Sequence, residues 1–477
     1  MFPVAICTVG CKLNQVESEA LVDAFGKAGF AVVPWEAGID GPGIVIVNTC
    51  TVTSKADQKT RILIRKALRK NPGSCVIVTG CYAKLEPDEI QAIEAECLAG
   101  ESRAAIGVRR LFVQRGAGEG AGATKGALLE LPGYIREAAL DGDDLSGIIE
   151  GWMARLDQGE GGGADPFAFR PEEFAFHSRG YLKVQDGCDN GCTYCRIRLA
   201  RGPGVSLSAE TALARLRSLE EKGCPEVTIA GVNIAQYRHS GFDLARLLRH
   251  LLEGSETIAL RVSSLEPEGV TEDLASTLAH PRVRHHFHLS VQSGSDEVLR
   301  RMGRAYDARA VNEAAASLRA AKGDPFLACD VIAGFPGETE SDFDLTRALC
   351  EKVGFAWIHA FPYSPRPGTP AFSFGDRVRD SETKRRVDVL TKLARRGRRD
   401  YAGAWLGREL SAVVEKARPW DRQCRAVSEN YLKLIVNCAG ETPPPGSTLR
   451  CVPASLCPGA NGESPDAMAD EVKGPPR

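Results

Sequence analysis

The stretch Tyr181-Leu-Lys-Val-Gln-Asp-Gly-Cys188-Asp-Asn-Gly-Cys192-Thr-Tyr-Cys195 places three cysteines directly after a short strand-like run. Spacings of three and two residues let one loop wrap a face of an inorganic cluster, and three thiolates satisfy three irons of a [4Fe–4S] cube. Structural zinc is the alternative, but it needs four ligands, and the nearest further candidates are His177 and Cys224. The spacing therefore favours an iron–sulfur cluster with one iron left open.

Six strand-like runs, beginning with the one before Cys188, alternate with helical patterns. They cover residues 181–184, 226–230, 259–263, 287–291, 328–333 and 356–360. This alternation over about 190 residues predicts a parallel barrel, or an open partial one, of six βα units within residues 171–403. The cysteine loop would leave the carboxyl end of the first strand, where barrel enzymes assemble their sites.

A second group of cysteines lies in residues 1–113, where short apolar runs alternate with helical patterns and predict a parallel α/β sheet. Cys11, Cys50 and Cys81 each follow an apolar run. The carboxyl ends of parallel strands lie along one edge, so these thiolates are expected to meet in one crevice. Buried, inert cysteines are the alternative, and it suits Cys7, Cys75 and Cys97, which lie inside apolar patterns. Three strand-end cysteines predict a second three-thiolate cluster.

The rest of the chain has less pattern. Residues 114–170 are rich in Gly and acidic residues and are interpreted as a linker or insertion. Residues 404–457 show short strand-like runs typical of a small antiparallel β-barrel. Residues 458–477 are rich in Pro, Gly and acidic residues, which predicts a disordered tail. The fold class is thus α/β, with a small β-barrel at the end.

Composition limits the cellular location that we expect for the protein and the role of its cysteines. The chain has 477 residues, 43% of them hydrophobic, and no apolar run long enough to cross a membrane. The N-terminus lacks the charged lead and apolar segment of a signal peptide, so we expect a cytoplasmic protein with no membrane association. In a reducing compartment, 16 cysteines indicate metal or cluster ligation more than disulfides.

Two basic regions are candidates for RNA contact. Lys55, Lys59, Lys66 and Lys70 recur on one stripe of a predicted helix, for which a solvated face is the default interpretation. Residues 375–425 hold 15 Lys/Arg against 8 Asp/Glu in a chain whose net charge is -2. That excess favours phosphate contact by the cluster Lys384, Arg385, Arg386, Lys392, Arg395, Arg396, Arg398 and Arg399.

The loop with Cys188, Cys192 and Cys195 resembles the radical S-adenosylmethionine (SAM) superfamily, and a second triad makes the chain similar to its methylthiotransferase family. Further matching stretches are residues 8–14, 48–53, 79–82, 185–188, 261–267 and 330–339. Within the family, the chain most resembles the tRNA enzymes that act on N6-threonylcarbamoyladenosine, and the residues that favour this subfamily are Lys12-Leu13 and Thr51. Arg196-Ile-Arg198 stands where the family usually has a Pro-containing segment, which puts the loop's shape near the cofactor in doubt.

The resemblance implies an N-terminal cluster domain, a radical SAM core and a C-terminal TRAM-like barrel. It implies two [4Fe–4S] clusters, with Cys11, Cys50 and Cys81 ligating one and the catalytic triad Cys188, Cys192 and Cys195 the other. S-adenosylmethionine is the further cofactor, and the reaction is methylthiolation of C2 of threonylcarbamoyladenosine 37 in tRNA. The partners implied are tRNA, an electron donor of flavodoxin or ferredoxin type and a sulfur source.

Three alternatives remain open: methylthiolation of isopentenyladenosine in tRNA, methylthiolation of a ribosomal protein, and a non-catalytic RNA-binding protein with structural metal sites. In the enzyme interpretations, polar side chains at the strand ends of the core would hold the ribose, amine and carboxylate of S-adenosylmethionine. Helix capping is the alternative role for each of them. The candidates are Asn233, Glu266, Ser290, Gln292 and Asp330.

Overall fold

The computed structural model describes residues 2–35, 41, 43–98, 109–115, 126–138, 144–158, 165–172, 174, 177–418, 422–458 and 464–472. The chain divides into two compact units. The N-terminal unit comprises Met1–Phe176, Asp186–Asp189 and Cys195–Val205, and the C-terminal unit comprises His177–Gln185, Asn190–Tyr194 and Ser206–Arg477. The loop with Cys188, Cys192 and Cys195 therefore contributes residues to both.

A five-stranded parallel sheet of order β2-β1-β3-β4-β5 forms the centre of the N-terminal unit. Its strands are β1 (Val4–Thr8), β2 (Val32–Pro34), β3 (Ile44–Thr49), β4 (Cys75–Gly80) and β5 (Leu111–Val113). The strand order reverses at β1, so the carboxyl ends of β1 and β3 border the crevice in which open α/β sheets bind ligands.

Helices cover both faces of this sheet, which explains why its strands are apolar without alternation. Val4, Ile44 and Ile46 pack against the helices on one face of the sheet, whereas Val45 and Val47 pack against the helices on the other face. The helices of the unit are α1 (Lys12–Lys27), α2 (Ser54–Lys70), α3 (Cys81–Leu85), α4 (Pro87–Leu98), α5 (Leu131–Ala138), α6 (Leu145–Asp157) and α7 (Ile197–Arg201).

The interval 114–170 differs from the expected linker. Its glycine segments 116–122 and 159–163 lie outside the described residues, but α5 and α6 lie between them and bury Leu131, Ile135, Ile149 and Trp152 against the sheet. The N-terminal unit also continues to Phe176, beyond the expected boundary at 113. Because α5 and α6 are short and flanked by glycine-rich sequence, their apolar periodicity was hidden.

Six parallel strands in sequential order form an open partial barrel in the C-terminal unit. They are β6 (Gly180–Lys183), β9 (Glu226–Ala230), β10 (Ala259–Val262), β11 (His286–Gln292), β12 (Phe326–Ala333) and β13 (Trp357–Pro362); β7 (Gln185–Asp186) and β8 (Val205–Ser206) flank the cysteine loop. Two three-stranded sheets are joined by the isolated parallel bridges Leu260↔Val283 and Leu265↔Leu289. Among the described residues β6 and β13 do not pair, so the predicted partial barrel is confirmed.

Helices connect and cover these strands. They are α8 (Ala209–Glu221), α9 (Leu244–Glu253), α10 (Glu272–Leu278), α11 (Asp296–Met302), α12 (Ala308–Lys322), α13 (Glu340–Val353) and α14 (Asp380–Ala404). α9 shows the amphipathic period expected of a covering helix, with Leu244, Leu247, Leu248 and Leu251 buried. No helix in the described ranges is both long and apolar enough to cross a bilayer.

A closed five-stranded barrel follows α14, in the order β14-β15-β16-β18-β17. Its strands are β14 (Leu410–Arg418), β15 (Gln423–Ser428), β16 (Lys433–Asn437), β17 (Thr448–Leu456) and β18 (Ala467–Glu471). Four pairings are antiparallel, whereas β16 and β18 pair in parallel. The small β-barrel predicted by the sequence is therefore present.

The predicted disordered tail, 458–477, needs correction because β18 closes this barrel. Ala467 and Ala469 are fully buried inside it, and the Asp466 carboxylate accepts a hydrogen bond from Arg398 Nη2 at 2.8 Å. The sequence Ala-Met-Ala-Asp-Glu has no β-branched residue, so its strand was not recognised.

Candidate metal centres

The crevice of the N-terminal sheet receives the three strand-end cysteines. Cys11 follows β1 and precedes α1, Cys50 follows β3, and Cys81 begins α3 directly after β4. Cys50 and Cys81 are buried, whereas Cys11 keeps an exposed edge. The structure thus brings Cys11, Cys50 and Cys81, the strand-end triad, to one edge of one sheet.

Two glycines allow this convergence. A Cβ on Gly10 (φ +126°) would lie 2.4 Å from Cys50 Cβ and 3.0 Å from its Sγ. A Cβ on Gly80 (φ +100°) would lie 2.3 Å from the Thr49 carbonyl oxygen. Both positions require glycine for its backbone conformation and for the close approach of neighbouring strand ends.

Asn14, in the first turns of α1, connects the ends of β1 and β3. Its Nδ2 donates to the carbonyl oxygens of Val9 at 3.0 Å and Thr49 at 2.8 Å, and its Oδ1 accepts from the Cys11 thiol at 3.5 Å. The Asn48 side chain donates back to the Asn14 carbonyl oxygen at 2.9 Å. These buried amides fix the backbone on which Cys11 and Cys50 stand.

The three closely placed thiol groups of the crevice would be stabilised as thiolates by a cationic iron core. Burial, followed by neighbouring Cys11 and Cys81, raises the pKa of the Cys50 thiol to about 12. Three thiolates would therefore repel one another here unless a metal centre compensates them.

The number of thiolates favours a cluster over a single zinc ion. Three thiolates satisfy three irons of a [4Fe–4S] cube, whereas structural zinc needs four ligands. Within the part of the chain that the structure describes, ligand atoms of three His, Cys, Asp or Glu residues lie within 4.8 Å of one another only at His288, Asp330 and His359. The strand-end triad is therefore not arranged around one ion.

The second cysteine group, called the loop triad, consists of Cys188, Cys192 and Cys195, all of them half-buried. Gly187 begins the loop with φ +68°, and a Cβ there would lie 1.8 Å from the Pro203 carbonyl oxygen. The Cys188 amide donates to the Gly202 carbonyl oxygen at 3.1 Å. The backbone on both sides of the loop is therefore closely packed.

Two N–H groups point at sulfur atoms of the loop triad. The Ile197 amide donates to Cys195 Sγ at 3.4 Å, and Arg304 Nη1 donates to Cys192 Sγ at 3.1 Å. Such hydrogen bonds are typical around cluster ligands, whose thiolates they stabilise.

The unusual segment Arg196-Ile-Arg198 is accommodated by an ion pair. Arg196, 7% exposed, donates to Glu86 Oε1 at 2.7 Å, next to α4. Ile197 then begins α7, which ends at Arg201. The first position of the segment is thus a buried arginine with a defined partner in the same unit, whereas Arg198, at the position of the missing proline, is exposed and donates to the Asp189 carbonyl oxygen at 3.3 Å.

Arg304 and Tyr306 connect Glu266 and Ser290, two of the candidate cofactor ligands. Arg304 pairs with Glu266 and donates from Nε to the Tyr306 hydroxyl at 3.0 Å, and that hydroxyl donates to the Ser290 carbonyl oxygen. Arg304 and Tyr306 were not among the predicted site residues, because they follow α11 outside any strand-end pattern. Their hydrogen bonds place Glu266 and Ser290 beside Cys192.

Asn233, Gln292 and Asp330 have other surroundings. The Asn233 amide N–H donates to Gln185 Oε1 at 2.9 Å, and its side chain is buried without capping the following turn. Gln292 ends β11 with φ +61°. Asp330 Oδ1 lies 3.2 Å from His288 Nε2. Asn233 and Asp330 are therefore held by different neighbours.

The two basic regions differ in how many charges stay at the surface. Lys55, Lys59, Lys66 and Lys70 are all exposed on α2. On α14, however, Arg386 and Arg398 are 3% and 2% exposed and pair with Glu338 and Asp466. The patch expected on α14 is therefore reduced, and its exposed members that form no ion pair with another described residue are Lys384, Lys392, Arg395, Arg396 and Arg399.

Comparisons with known proteins agree with both halves of this description. Residues 3–100 match the Uncharacterized protein family UPF0004, and residues 182–350 match the Radical SAM superfamily. The chain is 42% identical to the threonylcarbamoyladenosine tRNA methylthiotransferase MtaB of Treponema pallidum (strain Nichols), over 94% of this chain and 98% of that protein.

Two further relatives show the range of the resemblance. The protein of the same name from Thermotoga maritima is 35% identical, over 87% of each chain. The tRNA-2-methylthio-N(6)-dimethylallyladenosine synthase of Anaplasma marginale (strain St. Maries) is 31% identical, over 91% of this chain and 89% of that protein.

Proposed function

Because this chain belongs to the radical S-adenosylmethionine methylthiotransferase family, we propose that it attaches a methylthio group to C2 of N6-threonylcarbamoyladenosine at position 37 of tRNA. The observation that carries the proposal is the strand-end triad, three cysteines brought to one sheet edge in a chain that also has a radical SAM core. A second cluster site, separate from the one that would bind S-adenosylmethionine, gives the chain a place to hold the sulfur atom to be transferred. Near-complete coverage of the relative from Treponema pallidum supports the same activity.

The family's cofactors are [4Fe–4S] clusters and S-adenosylmethionine. The loop triad is the proposed ligand set for one cluster, which leaves one iron for S-adenosylmethionine, and the strand-end triad is the proposed ligand set for the other. When bound, these groups supply a 5′-deoxyadenosyl radical, the sulfur atom and the methyl group. The chain's own task is to hold the adenine near the radical and to exclude water.

Arg304 is the central positioning residue in the core. Its guanidinium donates to Cys192 Sγ and pairs with Glu266, so one group orients both a proposed cluster ligand and a proposed cofactor ligand. Its side chain is 5% exposed, which makes these contacts little screened by water. Asn233, Ser290, Gln292 and Asp330 are the other proposed contacts to S-adenosylmethionine.

The polar side chains of β11–β13 suit a hypermodified base. Asp330 Oδ1 lies 3.2 Å from His288 Nε2, and His359 Nδ1 accepts from Trp357 Nε1 at 3.2 Å. In the neutral form His359 therefore carries its proton on Nε2. Asp330 is kept as a proposed contact to S-adenosylmethionine, and the histidines beside it, His288 on β11 and His359 on β13, can together donate and accept hydrogen bonds, as a carbamoyl and threonyl substituent requires.

The remaining partners follow from the chemistry. The reaction needs an electron donor, for which we propose a flavodoxin or ferredoxin type, and a sulfur source. Because its proposed substrate is tRNA, we expect the protein to work in the cytoplasm. The exposed cations of α14 are the proposed contact with tRNA phosphates.

The test is anaerobic reconstitution with iron and sulfide for the wild type, Cys188→Ala and Cys50→Ala, followed by mass spectrometry of nucleosides. We expect about eight irons in the wild type and about four in each variant. Only the wild type should form the methylthio nucleoside on tRNA carrying threonylcarbamoyladenosine. Zinc in place of iron would refute the radical reaction, and four irons unaffected by Cys50→Ala would refute sulfur transfer.

The isopentenyladenosine alternative has support from the relative in Anaplasma marginale and shares the chemistry. The same assay separates the two, with tRNA carrying isopentenyladenosine as the competing substrate. A product on that tRNA alone would replace the proposed substrate and leave the reaction class unchanged.

A further inference from the structure

Arg201 ends α7, six residues after Cys195, and its guanidinium lies in the N-terminal unit among buried polar groups. Its side chain is 7% exposed. Nη1 donates to Glu17 Oε1 at 3.0 Å and to both Asp186 oxygens at 3.1 Å. Nη2 donates to Asn14 Oδ1 at 3.1 Å. This one side chain is therefore held from α1 and from β7.

The partners of Arg201 lead to cysteines of both triads. Asn14 Oδ1, which accepts from Arg201, also accepts from the Cys11 thiol at 3.5 Å. Asp186 stands two residues before Cys188. Arg201 is thus a neighbour of the strand-end triad, and the position of its guanidinium is fixed by Asp186, in the segment that begins the loop triad.

The charge of Arg201 acts on the strand-end triad. Burial lowers the pKa of Arg201, but Asp186, Glu17, Cys81 and Cys11 raise it well above the ordinary value, so the guanidinium stays charged. Lys84 is a second cation nearby, with Nζ donating to the Ala200 carbonyl oxygen at 2.9 Å. Burial lowers the pKa of Lys84, so Arg201 is the more permanent of the two charges.

The geometry points to Arg201 as the residue that sets the reduction potential of the cluster on Cys11, Cys50 and Cys81. A buried positive charge beside thiolate ligands stabilises the reduced form, which carries one more negative charge, and net charge is a main determinant of such potentials. Glu17, 1% exposed and paired with Arg201, opposes this effect. The inference rests on the second cluster of the proposed function and adds what controls its electron affinity.

The experiment uses the full chain with Cys188, Cys192 and Cys195 changed to Ala, so that only the strand-end cluster remains. Its midpoint potential is measured by anaerobic redox titration with electron paramagnetic resonance, alone and with Arg201→Gln, Arg201→Lys or Glu17→Gln. We expect Arg201→Gln to move the potential to more negative values, Glu17→Gln to more positive values, and Arg201→Lys to stay near the parent.

The opposite signs distinguish charge from structure, because a loosened site would shift the potential the same way in both Gln variants. Unchanged potentials, or shifts of the same sign, overturn the role of Arg201. If Arg201→Gln alone loses iron, the same change is made together with Glu17→Gln: a potential more negative than that of Glu17→Gln alone supports the inference, and an equal or more positive potential, or loss of iron there too, overturns it. A parent without about four irons would instead refute the second cluster, and with it the proposed function.

Discussion

The two cysteine triads are built in opposite ways. The loop triad lies within eight residues of one segment, whereas the strand-end triad spans residues 11–81 and depends on the neighbouring order β1-β3-β4. A local loop can be recognised from its spacing alone. The strand-end site exists only after the sheet has formed, so a change in backbone packing should remove it while leaving its three cysteines intact.

Gly80→Ala should have the largest effect, the loss of about four of eight irons. Gly80 has φ +100° and ψ -169°, a region that is essentially restricted to glycine. Its added Cβ would also lie 2.3 Å from the Thr49 carbonyl oxygen and 2.6 Å from the Thr49 nitrogen. β3 and β4 would have to separate where Cys50 and Cys81 emerge. Iron analysis of the reconstituted variant measures the effect.

Gly223→Ala is the matched control for Gly80→Ala. It also has positive φ, +78°, but a Cβ there meets nothing within 4 Å. We expect full iron content and a free energy of unfolding reduced by about 1–2 kcal/mol from the left-handed backbone. Equal iron loss in both glycine variants would show that general instability, and not the strand-end packing, causes the effect.

Gly187→Ala is the reciprocal change at the loop triad. Its Cβ would lie 1.8 Å from the Pro203 carbonyl oxygen, so the start of the loop would move. We expect loss of the iron bound by the loop triad and of S-adenosylmethionine cleavage, measured as 5′-deoxyadenosine. The iron retained should disappear when Cys50→Ala is added. Retained iron that survives Cys50→Ala would contradict the independence of the two sites.

Local or strongly periodic features could be predicted from the sequence. The loop spacing, the six core strands and the three strand-end cysteines were all recognisable, because apolar strands and cysteine positions are direct signals. Short elements without β-branched residues, such as β18, and helices between glycine-rich segments, such as α5 and α6, were not. Their formation depends on burial against elements far away in the sequence.

Side-chain partners were the other part that sequence could not supply. Arg386 and Arg398 were counted as surface cations, but Glu338 and Asp466 neutralise them inside the protein. Arg304 was overlooked because its role comes from its hydrogen bond to Cys192 and its ion pair with Glu266, 112 and 38 residues away. Charge patterns predict a surface only when the fold leaves those charges unpaired.

Arg304→Gln should have an intermediate effect on activity, and this effect should be confined to the loop triad. The change removes the N–H···S hydrogen bond to Cys192 and leaves Glu266 without its cation. Loss of an outer partner of a metal ligand typically costs about 10- to 100-fold in activity or affinity. We expect that decrease in 5′-deoxyadenosine formation, with the iron of the strand-end triad unchanged.

Arg300→Gln provides the control for Arg304→Gln, because Arg300 lies nearby in α11, is 72% exposed and forms a surface ion pair with Glu297. It should retain wild-type activity. An Arg304 variant as active as the Arg300 variant would show that the hydrogen bond to Cys192 has no functional weight.

The smallest effects are expected at the two basic surfaces, which can be compared with four substitutions each. Neutralising Lys392, Arg395, Arg396 and Arg399 on α14 should weaken tRNA binding several-fold and reduce the salt dependence of log K by roughly one unit for each phosphate that is no longer bound. Neutralising Lys55, Lys59, Lys66 and Lys70 on α2 should change both quantities less. On α2 the arginines between these lysines, Arg61 and Arg65, already pair with Glu89 and Glu96, which lowers the local positive potential. Filter binding at several salt concentrations measures the tRNA affinity and its salt dependence for both variants. A larger loss of affinity in the α2 variant than in the α14 variant would place the tRNA backbone on the N-terminal unit.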